Sequence, residues 1–385
     1  MKILLKAAAT LLMIVVLASA LFVYAQYDEE PLVTEIVIGT GNVGHQDGVE
    51  ATFHMPVGVL YLNGSIIVAD KFNIMLRSRF AMEIHDFDFS DYYDEEWFDE
   101  IMYALMATTT VAGYVSDFFP IGTHIDGYLW GEAGLFHPTG IALCYTIWRI
   151  YVTEAVNNSV RVIVDGRMYT LTGWGEAGFS DGPRGTASFN SPTDVAVGPG
   201  GYLYVADSLN HVIRRVSPVG YATTIAGTPL AYGYQDGDAL NALFDTPKGI
   251  VIASDGRIFV ADTGNHLIRV IENGEVSTFA GSFETSDYED EWDNAPIGGF
   301  YDCADGYARF NQPRGLAFWG SYLIVADSSN HAIRKVSPEG NVETLDIAGL
   351  HFPMGVDVFN NILLIADSGN NQIRIVLLEG DWYDW

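Results

Sequence analysis

Eight polar side chains stand beside the prolines of a repeated pattern, and their types would suit a ligand site. Three are histidines, whose imidazole nitrogens commonly bind zinc and other transition metals. Amide and carboxylate oxygens, which also bind divalent cations, come at matching places, and two cations directly follow their prolines. The set is His54, His137, Asn190, Asp245, Lys248, Asn311, Arg314 and His351. It predicts a pocket that holds a small polar ligand.

A metal site is the sharper hypothesis for part of this set. His54, His137 and His351 would supply three imidazoles if their segments were neighbours in the fold. His137, however, lies one position nearer its proline than the other two do. Polar side chains at such places often cap the turn to which they belong. Capping explains each residue without a metal, so we expect no cofactor, and a divalent metal on these histidines is the alternative.

No pattern of catalytic residues accompanies these side chains. The sequence has no Ser-His-Asp signature, no zinc-ligand spacing and no phosphate-binding loop. It therefore favours a protein- or ligand-binding module without catalysis of its own. Two alternatives stay open: a metal-assisted lyase or lactonase-type hydrolase at the same place, and a structural component of the cell envelope.

A repeated unit must position these residues. Six times an acidic residue is followed three positions later by Asn and seven positions later by Arg. The acidic residues are Asp70, Glu154, Asp207, Asp262, Asp327 and Asp367. Six copies of one constellation indicate six structural units rather than one enzyme site. We therefore also interpret His211, His266 and His331, which follow the Asn of their turns, as structural.

Four short strands fit each unit. In the third unit they fall near 194–197, 202–206, 211–216 and 222–226, with turn-forming residues between them. A small antiparallel sheet of this kind cannot bury both faces alone, and radial stacking of such sheets gives a β-propeller. The predicted fold is all-β, a six-bladed β-propeller of four-stranded antiparallel blades.

The motifs of the unit resemble those of the NHL-repeat family. They are Pro-x-Gly-hydrophobic, Val-Ala-Asp-x-x-Asn and a terminal Ala-Gly, found at 226–227, 280–281 and 348–349. The resemblance covers nearly all of the chain after its first 25 residues and implies the same fold. One NHL-like branch, the amidating lyases, holds zinc with histidines directly after the repeat prolines. Those positions are here Val57, Thr139, Thr193, Lys248, Arg314 and Met354, so these ligands are absent. Related lactonase propellers bind a central divalent ion through Glu, Asn and Asp, which Asn190, Asp245 and Asn311 match only in part.

The N-terminal region is expected to close the ring. The sixth unit ends at Glu379-Gly380, where its fourth strand should begin. Residues 33–39 (VTEIVIG) resemble the fourth strand at 342–349 (VETLDIAG). We therefore predict that an N-terminal strand completes the last blade, which leaves no unpaired strand edge.

Two insertions, at 82–106 and 282–304, interrupt the repeat. Both mix acidic and aromatic residues, a composition that suits a surface gripping a cationic protein. The predicted anchors are Trp97, Phe98, Tyr288 and Trp292. Neither insertion has the spacing of a calcium-binding loop.

The first 25 residues have the features of a signal peptide. Lys2 and Lys6 precede an apolar run over 7–24, and Val-Tyr-Ala stands before Gln26. We therefore expect a secreted or extracytoplasmic protein whose propeller spans 26–385. An uncleaved segment acting as an N-terminal membrane anchor is the alternative.

Charge and cysteine content limit the partners and the covalent structure. The formal net charge is −30, which repels phosphate backbones, so no nucleic acid is expected and a cationic protein partner fits better. The two cysteines, Cys144 and Cys303, fall in the second and fifth units. A six-fold ring places these units on opposite sides, so we expect no disulfide.

Overall fold

The computed structural model describes residues 35–44, 46–47, 51–62, 65–73, 75–80, 109–112, 126–128, 134–282, 298–303 and 307–378. The expected signal peptide, the insertion at 82–106 and most of the insertion at 282–304 lie outside these residues, together with Trp97, Phe98, Tyr288 and Trp292. The propeller lies in the compact unit Ile36–Trp385, apart from Glu35, the first residue of its N-terminal strand.

The strands are numbered in chain order, beginning with the N-terminal strand β1 (Glu35–Ile38). Blade one contains β2 (Pro56–Leu62), β3 (Ser65–Asp70), β4 (Met75–Phe80) and β5 (Thr109–Ala112). Blade two contains β6 (Gly127–Tyr128), β7 (Pro138–Cys144), β8 (Arg149–Glu154), β9 (Ser159–Val164) and β10 (Arg167–Thr172). Blade three contains β11 (Pro192–Val197), β12 (Leu203–Asp207), β13 (Val212–Val216) and β14 (Ala222–Ala226).

The second half of the ring repeats the arrangement. Blade four contains β15 (Gly237–Asp238), β16 (Pro247–Ile252), β17 (Ile258–Asp262), β18 (Leu267–Glu272) and β19 (Glu275–Ala280). Blade five contains β20 (Pro313–Trp319), β21 (Tyr322–Asp327), β22 (Ala332–Val336) and β23 (Val342–Thr344). Blade six contains β24 (Pro353–Phe359), β25 (Ile362–Asp367) and β26 (Gln372–Leu377). Short 3₁₀ helices lie at Lys71–Asn73, Pro199–Gly201, Ser208–Asn210, Thr263–Asn265, Ser328–Asn330 and Ser368–Asn370.

The N-terminal strand closes the ring, as the sequence predicts. The sheet of blade six has the order β1-β26-β25-β24, so β1 supplies its outer strand. The inner strands contact one another in cyclic order, and β2 of blade one packs against β24 of blade six. The six-bladed propeller of four-stranded blades is therefore confirmed. Blades two and four add a fifth, two-residue strand at the outer edge, β6 and β15.

The repeated acidic residue organises the turn of each blade. In blade three, Asp207 is fully buried, and its Oδ1 accepts a hydrogen bond from the backbone N–H of Asn190 at 2.7 Å. Its Oδ2 accepts one from Asn210 Nδ2 and one from Arg214 Nη1, each 2.8 Å long. Because a buried charge needs a partner and further hydrogen bonds, these three residues recur together.

The recurring histidines join neighbouring blades. The Nδ1 atoms of His211, His266 and His331 accept hydrogen bonds of 2.9 to 3.1 Å from backbone N–H groups of the next blade. The donors are Thr246, Gln312 and Phe352, all with left-handed backbone (φ of 45° to 54°). Asn158 and Asn371 accept the same bond through Oδ1. The structural role predicted for these histidines is confirmed.

The core lies between the blades and is apolar. The fully buried side chains Phe53, Phe189, Phe244 and Phe310 each belong to one of the hydrophobic clusters. Cys144 and Cys303 do not form a disulfide, which confirms the prediction. No helix within the described ranges is long and apolar enough to cross a membrane.

Candidate ligand site in the axial channel

The six inner strands enclose a channel along the axis of the propeller. The strands are β2, β7, β11, β16, β20 and β24, and residues from all six line a cavity of about 530 Å³. This volume lies within the range of small-molecule pockets. Each inner strand begins at a proline, so the residues that follow the prolines gather at one end of the channel.

Glycines let the inner strands approach closely. The second residue after the proline is glycine in five blades, at 58, 140, 249, 315 and 355. A Cβ atom added at Gly249 would overlap the carbonyl oxygen of Arg314, and one at Gly355 would overlap that of Val57. Because no side chain fits between such backbones, the wall of the channel is largely main chain at this level.

Blade three departs from this pattern with Asp194. Its Oδ1 accepts a hydrogen bond from its neighbour Val195 N–H, and its Oδ2 accepts one from Ile250 N–H of blade four, both 2.9 Å long. Removal from bulk water raises the pKa of Asp194 from 3.8 to about 7, although the two N–H donors oppose the shift. The carboxyl group can therefore gain or lose a proton near neutral pH.

A second carboxylate lies further along the channel. Asp357 of β24 accepts a hydrogen bond from the backbone N–H of Tyr61 at 2.8 Å, which again joins two blades. Burial raises its pKa to about 6. Asp194 and Asp357 belong to blades three and six, which a six-fold ring places on opposite sides of the axis. The wall of the channel thus has two acidic groups that titrate above the ordinary range.

Three cations line the channel near the proline end. Lys248 and Arg314 directly follow the prolines of blades four and five. Lys71 comes from the turn after β3; since Asp70 pairs with Pro56 across β3 and β2, Lys71 lies at the same end. Four other blades have Ser or Thr at the position of Lys71, and that hydroxyl bonds a proline carbonyl of the next blade.

None of these three cations has a counter-ion among the described residues, where no carboxylate oxygen lies within 4.0 Å of their nitrogens. The guanidinium of Arg314 instead lies over the ring of Phe352 at 5.2 Å, with Nη1 3.5 Å from Met354 Sδ. Its Nε is buried and has no hydrogen-bond acceptor in the described structure. The Nε atoms of the repeat arginines Arg214 and Arg269 are likewise buried without an acceptor in the described structure, but these two side chains pair with buried acids.

The pKa values reflect this crowding of positive charge. Desolvation, followed by the charges of Arg314 and Lys71, lowers the pKa of Lys248 from 10.5 to about 8, while Asp245 opposes the shift. Desolvation lowers the pKa of Arg314 to about 10. The pKa of Lys71 is lowered by burial and then by Arg314. The same three charges therefore act on one another across the channel.

Of the eight residues predicted to hold a ligand, Lys248 and Arg314 line the cavity. The other six belong to the turns around its end. The backbone N–H groups of His54, Asn190, Asp245, Asn311 and His351 donate to the repeat aspartates. His137 is the left-handed residue before its proline (φ 53°).

The three candidate metal ligands contact other rings. His54 and His137 both contact Phe72, with ring centroids 4.9 and 5.3 Å from it, and the ring of His351 lies tilted against that of His331 at 5.0 Å. In the part of the chain that the structure describes, no group of three or more His, Cys, Asp or Glu side chains could hold a metal ion. A polar ligand at these six residues stays a prediction.

Sequence reasoning missed Lys71, Asp194 and Asp357. A signal for two of them is present in the repeat itself. Asp194 replaces the glycine of five other blades, and Lys71 replaces the Ser or Thr of four others. Asp357 is the acidic residue of an otherwise apolar inner strand. The positions at which Lys71 and Asp194 differ from the repeat therefore carried the signal that could have identified them as channel residues.

Comparisons with known proteins agree with the fold. A family model described as NHL repeat matches residues 244–271. The human NHL repeat-containing protein 2 is 27% identical over 326 residues, which cover 78% of this chain and 42% of that protein. The Arabidopsis thaliana protein SUPPRESSOR OF QUENCHING 1, chloroplastic is 32% identical over 146 residues, 35% of this chain and 14% of that protein. The chain thus spans less than half the length of these relatives.

Two solved structures share the architecture at low sequence identity. An auxiliary nutrient binding protein from Bacteroides ovatus has a TM-score of 0.58 at 12% identity, covering 90% of this chain and 76% of that one. A catalytically inactive virginiamycin B lyase from Staphylococcus aureus, solved with quinupristin, has a TM-score of 0.50 at 14% identity, covering 90% and 99%. These likenesses concern the fold alone.

Proposed function

Because the chain is an NHL-repeat β-propeller, we propose that it is a binding module that holds a small polar ligand in its axial channel and performs no catalysis of its own. The observation that carries the proposal is the cavity of about 530 Å³ that Lys71, Lys248 and Arg314 line with no counter-ion among the described residues. Desolvated charges destabilise a fold unless they are paired, so their retention favours a role in binding.

The rigid surroundings of the channel support a preformed site. Buried Asp–Arg pairs hold the turns at its proline end, and inter-blade hydrogen bonds to left-handed residues fix the start of the inner strands. Such a frame reduces the ordering that a ligand must impose on binding. A nutrient-binding role, like the one named for the Bacteroides ovatus structure, would use a site of this kind.

Export and a protein partner belong to the same proposal. The basic and apolar character of the first 25 residues supports a module that works outside the cytoplasm, whether this segment is cleaved or remains as a membrane anchor. The insertions with Trp97, Phe98, Tyr288 and Trp292 would then serve as surfaces for a cationic protein.

A second candidate is an enzyme with its reacting groups in the channel. The observation in its favour is Asp194, whose pKa of about 7 suits a general acid or base at neutral pH. The virginiamycin B lyase shares the propeller fold. This candidate would be favoured over the binding module if the protein converts a bound compound, and if Asp194→Gly still binds the compound but no longer converts it.

The binding module is tested by blocking the channel. Val57 stands at the position of Lys248 and Arg314 in blade one and lines the cavity, so the bulky side chain of Val57→Trp should obstruct the proline end of the channel. The purified protein is dialysed against a small-molecule extract of the cells that produce it, and the bound fraction is identified by mass spectrometry. We expect the wild type and Val219→Trp, which alters a side chain 77% exposed, to enrich the same compound, and Val57→Trp not to. No enrichment by the wild type, or equal enrichment by Val57→Trp, would contradict the proposal.

A further inference from the structure

We propose that the ligand of the channel is a small molecule with at least two oxyanion groups, carboxylates or phosphates, held between Lys71, Lys248 and Arg314. This inference rests on the proposed function, since it names the chemical class of the ligand at the same site. Its three cations come from blades one, four and five, and all of them line one cavity.

The positions of the cations argue for more than one anionic group. A six-fold ring places blade one opposite blade four, so Lys71 and Lys248 approach the axis from opposite sides, and Arg314 lies in the blade next to Lys248. A cavity of about 530 Å³ is far larger than one oxyanion group. A molecule with two or three such groups can span the axis and contact each cation.

Charge compensation argues for anions rather than neutral polar groups. Although the chain carries a net charge of −30 and Asp194 and Asp357 line the same cavity, no carboxylate oxygen of the described residues lies within 4.0 Å of the nitrogens of the three desolvated cations. Arg314 has a buried Nε without an acceptor in the described structure, as Arg214 and Arg269 do, but unlike those two it has no carboxylate partner there. Arg and Lys form strong, charge-assisted hydrogen bonds with oxyanions. An anionic ligand therefore offsets both the cost of desolvating the three cations and the cost of leaving the Arg314 Nε without an acceptor.

The negative electrostatic field of the whole chain limits the size of the ligand. A net charge of −30 repels extended polyanions at a distance, and the cavity of about 530 Å³ has the volume of a small-molecule pocket. A nucleic acid would have to bring many phosphates against that field while only the end of the channel is cationic. A compact metabolite can place all of its charges inside the channel, so the site fits a small polyanion.

Isothermal titration calorimetry with defined probes tests the inference. Citrate represents polycarboxylates, pyrophosphate represents phosphates, and glucose is the neutral probe, each titrated at about pH 7 in a buffer of low ionic strength. We expect at least one anion to bind and glucose not to bind. Which anion binds more tightly distinguishes the carboxylate from the phosphate source.

Variants locate the binding. Arg314→Gln and Lys248→Met should each weaken the anion about tenfold or more, because each removes a direct charge partner. The controls Arg257→Gln and Lys335→Met remove cations that pair with Asp255 and Glu343 outside the channel, and should leave affinity unchanged. In buffer without the anion, Lys248→Met should melt at or above the wild-type temperature, because a desolvated cation has been removed. With the anion present, the wild type should gain more in Tm than the variant does.

The outcomes separate the inference from the proposed function. If neither anion binds, or if the channel variants bind as the wild type does, the inference is wrong. If glucose binds as tightly as the anions, anionic groups are not required and the inference is also wrong. A neutral compound enriched by the wild type but not by Val57→Trp would leave the binding module standing without this ligand class. Failure of enrichment by the wild type would remove the module itself.

Discussion

Asp194 of blade three accepts a hydrogen bond from the backbone N–H of Ile250 in blade four, with 2.9 Å between Oδ2 and N, although five other blades have glycine at its position. The carboxyl group therefore joins two blades at the wall of the channel. Its pKa is raised to about 7 by desolvation, so the folded protein holds this proton far above the ordinary pKa of 3.8.

The first prediction follows from this linkage. Between about pH 4 and pH 7 the folded state keeps a proton on Asp194 that the unfolded state has released, so rising pH lowers the free energy of unfolding. Asp194→Gly restores the repeat residue and removes this dependence. Between pH 4 and pH 8, the free energy of unfolding of the variant, measured with urea, should rise by about 2–4 kcal/mol relative to that of the wild type. The exposed Asp346→Gly serves as control, and a difference that does not change with pH would contradict the assignment.

The second prediction concerns the pH dependence of anion binding. Desolvation lowers the pKa of Lys248 to about 8, and the charges of Arg314 and Lys71 add to this shift while Asp245 opposes it. Affinity for citrate or pyrophosphate should fall as pH rises through about 8, because Lys248 then loses its charge. Calorimetry near pH 8 in buffers of different ionisation enthalpy should show proton uptake on binding. Lys248→Met should show neither effect; an unchanged pH profile in that variant would assign the titration to another group.

The third prediction concerns the inter-blade histidines. Burial lowers the pKa of His266 below 6.5, against the opposing charge of Asp245. The neutral imidazole therefore makes its full contribution to stability above pH 6.5. This contribution is lost as pH falls through the lowered pKa that His266 has in the folded state. His266→Asn should keep the bond to Gln312, as Asn158 and Asn371 do for their blades. As pH falls from 7.5 to 5, the melting temperature should decrease less for the variant than for the wild type. Equal decreases would show that His266 does not contribute to the pH dependence of stability.

The fourth prediction tests closure of the ring by β1. Ile38 is 2% exposed and packs with residues of blades one and six, whereas its neighbour Val37 is 45% exposed. Ile38→Ala should lower the free energy of unfolding by about 2–5 kcal/mol through the cavity that it leaves. Val37→Ala should change it by less than about 0.5 kcal/mol. Equal effects of the two changes in denaturant unfolding would mean that β1 does not seal the last blade in solution.

The fold could be predicted because its determinants repeat. Asp207, Asn210 and Arg214 serve one turn, and five further copies at the same spacing leave little choice of architecture. The closing strand was also predictable, since 33–39 match the strand that the last unit lacks. These features are local patterns whose partners lie a few residues away or recur at a fixed period.

The site was only partly predictable because it depends on where side chains point. Position relative to the proline identified Lys248 and Arg314, but it could not show that the His54 turn packs against Phe72 rather than the cavity. Lys71 and Asp194 reach the channel from turns and blades far apart in sequence. Only the closed ring brings Lys71 into the field of Arg314.

A crystal structure of the protein grown with citrate tests the central claim most directly. The account predicts one citrate in the channel, with carboxylate oxygens within about 3.2 Å of Lys248 Nζ and of the Arg314 guanidinium. The same crystals of the Arg314→Gln variant should show the citrate displaced or at lower occupancy. Citrate bound only outside the channel, or a channel filled with water at citrate concentrations well above the calorimetric Kd, would contradict the account.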